Sequence, residues 1–353
     1  MTRFAISRPC GFVAANPNHS TIGTICIAHS RERRRGSTMP TGRRQGFHEH
    51  VQAIIDETGE EDPFEAVRVK ARRVITHYVT LFREQPPFNL KAIASVRGLH
   101  WSDDDPRFSP DSEIAPEADG RVVLRVNKSR PESRQRFSIG HEIGHTLFPE
   151  YQLAVRCRKG VDRNWVDPED LLETLCDVAA SELMFPDPWF RDRVGSIEVT
   201  ASNVAQLAAD YLASRDATVR RLVELHTEPM AAVFFSWKLK PTEQRLASRN
   251  RRQKPLFGEP LEMPSPKLRV DYAILNGAFE NVATGHIPKD KSVPSEGPIH
   301  AASTTQSVQD GECRLDLGTL HGRFAVHALP VFTSEQATGP DGASSVVAIL
   351  RPL

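Results

Sequence analysis

Residues 134–148 read RQRFSIGHEIGHTLF, and residues 168–185 read PEDLLETLCDVAASELMF. The first stretch sets the chemistry. Pro131 opens it, and Phe137, Ile139, Ile143, Leu147 and Phe148 recur at helical spacing, which predicts a helix from Pro131 to Phe148. His141 and His145 are four residues apart, so on that helix both imidazoles lie on one face and can reach one metal ion. Zinc suits such nitrogen ligands at about 2.0–2.1 Å. Glu142 stands about 100° round the helix from His141 and can serve as general base without displacing a ligand. Gly144 costs the helix about 1 kcal/mol relative to alanine, which suggests that another element passes close beneath the metal.

A histidine pair needs a third ligand before it counts as a catalytic site. The extended metzincin pattern requires Gly at 148 and His at 151; this chain has Phe148 and Tyr151. The other branch takes a glutamate from the following helix. Asp167 and Pro168 supply a start signal, and Glu173 and Asp177 then fall one turn apart on one face. Glu173 can complete a His₂Glu set with the fourth position left for water. Asp177 can accept the outer N–H of a ligating histidine and so fix its tautomer. The competing reading is a solvated acidic face, since Glu169, Asp170 and Glu182 share the helix.

Around this centre the chain sorts into three textures. Residues 1–45 hold eight arginines and a single acid, Glu32. They read as a disordered basic tail, or as sequence ahead of a true start near Met39, with no apolar core of a secretory signal. From Asp62 a capped helix runs to the stop at Pro86-Pro87, and Asn89 caps a shorter helix that Gly98 ends. Residues 99–120 are acidic and proline-rich and read as loop, whereas 121–127, RVVLRVN, read as a strand on whose edge an extended substrate could add. Residues 149–166 read as loop, and helices are predicted over 200–213 and 214–226. MAAVFFSW (230–237) has the unbroken apolar character of a buried strand. Residues 241–268 read as a long polar loop, and 269–275, 312–317, 323–332 and 345–350 as further strands. The 353 residues carry 45 basic and 45 acidic side chains, and 39% are hydrophobic, a globular composition without a membrane-spanning run. Five scattered cysteines without a CxxC pair fit a reducing, cytoplasmic setting.

With these residues in view, 134–148 together with ETLCDVAASELMFP (173–186) closely resembles the ImmA/IrrE family of metallo-endopeptidases. Members carry R-x-R-F-[ST]-x-x-HExxH and, later, E-x-x-A-[ND]-x-F-A-x-x-L-L-M-P. Glu173, Asp177, Ala180, Leu183 and Pro186 match, while Cys176, Ala179, Met184 and Phe185 depart without touching the chemistry. PPFNLKAIASVRGL (86–99) is similar to the helix before the motif, and 204–225 to the helix pair after it. The resemblance covers about 60–229. It implies a zincin-like fold, one Zn²⁺ held by His141, His145 and Glu173 with Glu142 as base and Asp177 behind the ligands, and a protein substrate. Family members often cleave a repressor or antitoxin, commonly of the Xre helix-turn-helix type, and one branch carries a GAF-like sensory domain at its C-terminus.

The expected architecture is therefore α+β: the basic tail (1–45), a zincin-like metallopeptidase domain (46–229) and a β-rich C-terminal region, sensory if the resemblance extends there (230–353). Manganese in place of zinc stays open. The alternative is a non-catalytic DNA-binding or regulatory protein with a structural zinc site. On that reading the pair 200–226 is a helix-turn-helix, with Arg215, Arg220, Arg221 and the stretches 31–44 and 245–254 on phosphates. No base-reading Asn/Gln pattern stands out, so direct nucleic-acid binding is the weaker expectation. Tyr151, Tyr211 and His226 are the candidate second donors to an oxyanion.

Overall fold

The computed structural model describes residues 49–102, 108–149, 151, 156–157, 168–252, 263–283, 285–331, 339 and 342–353. The basic tail, Asp167 and most of 149–166 lie outside them. Three helices lead: α1 (Glu49–Thr58), α2 (Pro63–Phe82) and α3 (Leu90–Val96). The Asp62 carboxylate accepts from Phe64 N, and Asn89 Oδ1 from Lys91 N and Ala92 N, which satisfies orphan donors at each start as the sequence predicts. Gly98, at φ +81°, turns the chain out of α3.

The segment expected to be loop, 99–120, contains two strands. β1 (Leu99–Trp101) pairs in parallel with β3 (Val122–Val126), and β2 (Ser112–Pro116) pairs antiparallel with β3 and with β4 (Arg156–Cys157). Strands of three and five residues with proline and acids at their ends carry too little alternation to be seen in the sequence. The order β1-β3-β2-β4 corrects a second expectation: β3 lies inside the sheet, flanked on both sides, and cannot be the edge that takes up a substrate.

Two central helices follow. α4 (Glu132–His145) begins after Pro131, which stands at the cap position, and ends three residues earlier than expected. Thr146, Leu147 and Phe148 tighten into i→i−3 hydrogen bonds on Ile143, Gly144 and His145. α5 (Pro168–Met184) matches its predicted span. Beyond it come α6 (Trp189–Gly195), unforeseen from the sequence, then α7 (Ala201–Asp210), capped by Thr200, and α8 (Arg215–Leu225), capped by Ser214.

The C-terminal region is a five-stranded antiparallel sheet, ordered β6-β5-β9-β8-β7. Its strands are β5 (Ala231–Lys238), β6 (Lys267–Leu275), β7 (Gln309–Leu317), β8 (Leu320–Val331) and β9 (Ser345–Pro352). Both faces of its centre are covered, which explains the unbroken apolar run in β5. Ala232, Phe234, Val347 and Ile349 join the core shared with α2, α5 and α8. Ala231, Val233, Phe235, Val346 and Ala348 face the other way, against Phe279 of α10 (Gly277–Val282) and Ile299 and Ala302 of α11 (Pro298–Thr305).

The long polar loop expected over 241–268 is also corrected. It holds α9 (Pro241–Arg252). Pro241 opens the helix, Glu243 Oε2 accepts from Lys240 N at 2.8 Å, and the arginines that look like linker composition are good helix formers.

Candidate metal centre

α4 and α5 press together where their side chains are smallest. A Cβ on Gly140 would stand 3.1 Å from Ala180 Cα, and one on Gly144 would stand 3.0 Å from both Cα and the carbonyl oxygen of Cys176. The mid-helix glycine thus has the use its cost suggested. Close approach lets short side chains from the two helices meet head-on.

They meet at His141, His145 and Glu173, whose candidate ligand atoms all lie within 4.8 Å of one another. His141 Nε2 is 3.2 Å from Glu173 Oε2, and His145 Nε2 is 3.4 Å from Glu173 Oε1. The imidazole centroids are 4.9 Å apart and the rings nearly perpendicular, at 78°. Both histidines are buried, while Glu173 keeps 21% of its side chain exposed, so the cluster opens towards solvent on the carboxylate side.

His141 Nδ1 bonds to Asp177 Oδ1 at 2.8 Å. That contact places the ring proton on Nδ1 and turns the Nε2 lone pair towards Glu173. Behind His145, Nδ1 stands 3.4 Å from Cys176 Sγ, a fully buried thiol, as its place in the apolar stripe suggests. Burial opposes charging His141. The hydrogen bonds to Asp177 and Glu173, with the charges of Asp177 and Glu142, outweigh it and push its pKa up to about 9. Two imidazole nitrogens and one carboxylate, with an acid behind one ring, are a donor set that fits a divalent zinc-class ion.

Glu142 is fully buried beside this group, and its Oε1 accepts from Ser112 Oγ at 2.6 Å. Ser112 is a contact that the sequence reading missed.

The other candidates are placed elsewhere. Tyr211 packs among Phe185 and Phe190, at ring centroids of 5.9 and 4.9 Å. Tyr151 donates to Arg97 O at 3.3 Å, and His226 Nδ1 accepts from Glu228 N. Arg134 pairs with the nearly buried Asp111 rather than with a solvated partner, and Arg136 donates to Phe88 O. The arginines of α8 are engaged within the protein. Arg221 is buried on Glu182 at 2.5 Å and Glu224 at 3.0 Å, and Arg215 donates to Pro330 O. Arg220 pairs with Asp216 and stacks over Phe234 and Tyr272. Arg245, Arg249 and Arg251 are exposed on α9; 31–44 lie outside the described residues.

A small mixed sheet against a histidine-bearing helix, with a glutamate from the next helix closing the cluster, is the architecture of a zincin-like peptidase domain. Residues 99–223 match the family model of peptidase M78, the IrrE N-terminal-like domain, so this stretch is similar to that domain. The chain is 28% identical over 188 residues to the radiation response metalloprotease IrrE of Deinococcus radiodurans. That match covers 52% of this chain and 54% of the relative, so the chain spans about half the length of the protein it matches. A solved Mycobacterium tuberculosis transcriptional regulator is 11% identical, with 85% of this chain and 79% of that one covered. Its TM-score of 0.47 is too low to carry an argument.

Proposed function

We propose that the chain is a zinc-dependent endopeptidase that hydrolyses a peptide bond in a protein substrate, a helix-turn-helix repressor or antitoxin of the Xre type. The observation that carries this reading is the convergence of His141, His145 and Glu173 with Glu142 buried at their side. His141, His145 and Glu173 would hold a divalent ion, which would supply an acidified water and Lewis-acid polarisation of the scissile carbonyl. Glu142 takes the proton of the attacking water and returns it to the leaving amine as the C–N bond breaks. Asp177 keeps His141 in the tautomer that offers Nε2. The name of the Deinococcus relative, a radiation response metalloprotease, supports a protein substrate and a role in a stress response. No helix among the described residues is long and apolar enough to cross a membrane.

The test is metal analysis of the purified protein, followed by incubation with an Xre-type helix-turn-helix protein from the same genome. Wild type is expected to hold one zinc and cut that protein. Glu142→Gln is expected to keep the zinc and lose activity by about 10²–10⁴-fold, the usual worth of a positioned base. If the glutamine variant cuts as fast as wild type, the mechanism is wrong.

A further inference from the structure

We propose that Ser112 is a positioning residue, whose hydroxyl sets the Glu142 carboxylate in the orientation proton transfer needs; this rests on the endopeptidase reading. Ser112 opens β2, thirty residues before Glu142, and is fully buried. A serine hydroxyl has one proton, and here it goes to Glu142 Oε1 over 2.6 Å, the short separation of a charge-assisted bond. With Oε1 holding the serine, proton pick-up falls to Oε2.

The serine is itself held fast. In the sheet it sits opposite Val126, and next to it Asp111 O accepts from Asn127 N at 2.9 Å. The Asp111 carboxylate, 5% exposed, receives Arg130 Nε at 2.9 Å and Arg134 Nε and Nη2 at 3.0 and 2.8 Å. Arg134 rides on α4, the helix that carries Glu142. Strand and helix are thus tied at two successive residues, Asp111 through Arg134 and Ser112 through Glu142. A carboxylate on a flexible stem is fixed by rigid elements, which is what a base requires if its geometry is to be ready before substrate arrives. A serine that only satisfied a buried acid would register in stability and not in the rate constant of the chemical step.

The experiment compares zinc-loaded wild type, Ser112→Ala and Ser112→Thr in three readouts. The first is the Glu142 carboxylate stretch, isolated as the infrared difference against Glu142→Gln. The others are zinc affinity and the kcat and KM for cleavage of the same Xre-type helix-turn-helix protein. Ser112→Ala is expected to shift the stretch and lower kcat about tenfold or more, with KM and zinc affinity unchanged, because its hydroxyl bonds to Glu142 and not to a histidine or Glu173. Ser112→Thr keeps the hydroxyl and is expected to keep both signals; it serves if the alanine variant does not fold. An unmoved stretch, an unchanged kcat, or a folded threonine variant that has lost both signals overturns the proposal. Should wild type leave the substrate intact, the endopeptidase reading falls and the stretch alone decides: moved by alanine and restored by threonine it supports the positioning role, unmoved it overturns it.

Discussion

His141 carries the sharpest consequence at the scale of single residues. Its pKa in the folded, metal-free protein is raised to about 9 from an ordinary value of 6.5. A raised pKa means that the charged ring stabilises the fold fully below about 6.5 and that this contribution disappears as pH climbs through 9. The metal-free melting temperature should therefore fall across that window. Metal uptake has to expel the same proton, so zinc affinity should rise with pH up to about 9. Calorimetry at pH 7 in two buffers of different ionisation enthalpy should show about one proton released per zinc; none released would contradict the assignment. Asp177→Asn should weaken zinc binding about 10- to 100-fold by loosening the ring it orients. The spacing of His141, Glu142 and His145 was legible in the sequence because one helical turn fixes it, and Glu173 because it stands one turn from Asp177 on the next helix. Ser112 was not, because a strand-to-helix contact across thirty residues depends on sheet register, which five residues of irregular pattern do not declare.

Among the elements, the contact between α4 and α5 is the one that builds the site. Gly144→Ala would raise intrinsic helix propensity by about 1 kcal/mol. The new methyl would meet backbone atoms of Cys176 at 3.0 Å, and backbone cannot swing aside as a side chain can. The helices must part, so the substitution should destabilise by about 1–3 kcal/mol. The same parting moves Glu173 away from the histidines, so zinc affinity should drop as well. Thermal melts and chelator competition read the two effects separately; a stabilised variant with intact affinity would show that the helices are looser than described. Long elements with caps, such as α2, α5 and α7, were readable because cap, apolar stripe and stop agree. α9 was misread because proline and arginine suit both a linker and the first turn and body of a polar helix. What distinguishes them is tertiary: Arg269 reaching Glu243 at 2.9 Å and Ala247 packed inward.

At the scale of the whole molecule, the helices before residue 229 and one face of the C-terminal sheet share an apolar core, and a buried ionic knot ties α2, α5 and α8. Glu182 of α5 receives Arg221 of α8 at 2.5 Å and Arg72 of α2 at 3.2 Å, with Arg221 and Glu182 almost wholly out of water. Glu182→Ala would leave the buried Arg221 with Glu224 as its remaining counter-ion and should cost about 3 kcal/mol, measured by denaturant unfolding; a loss under 1 kcal/mol would mean that Glu224 or water makes good the lost partner. The change of texture near 229 was plain in the sequence, but not that the sheet beyond it would lend one face to the helices before it. Phe234, Tyr272, Val347 and Ile349 lie in the same core as Leu222 and Leu183. The tidy boundary in composition is therefore no seam in the fold. Anyone grafting the half that holds the His141–His145–Glu173 cluster onto a different C-terminal module would uncover an oily wall along α8, and the chimera would need a substitute panel of matching shape to stay dispersed in water.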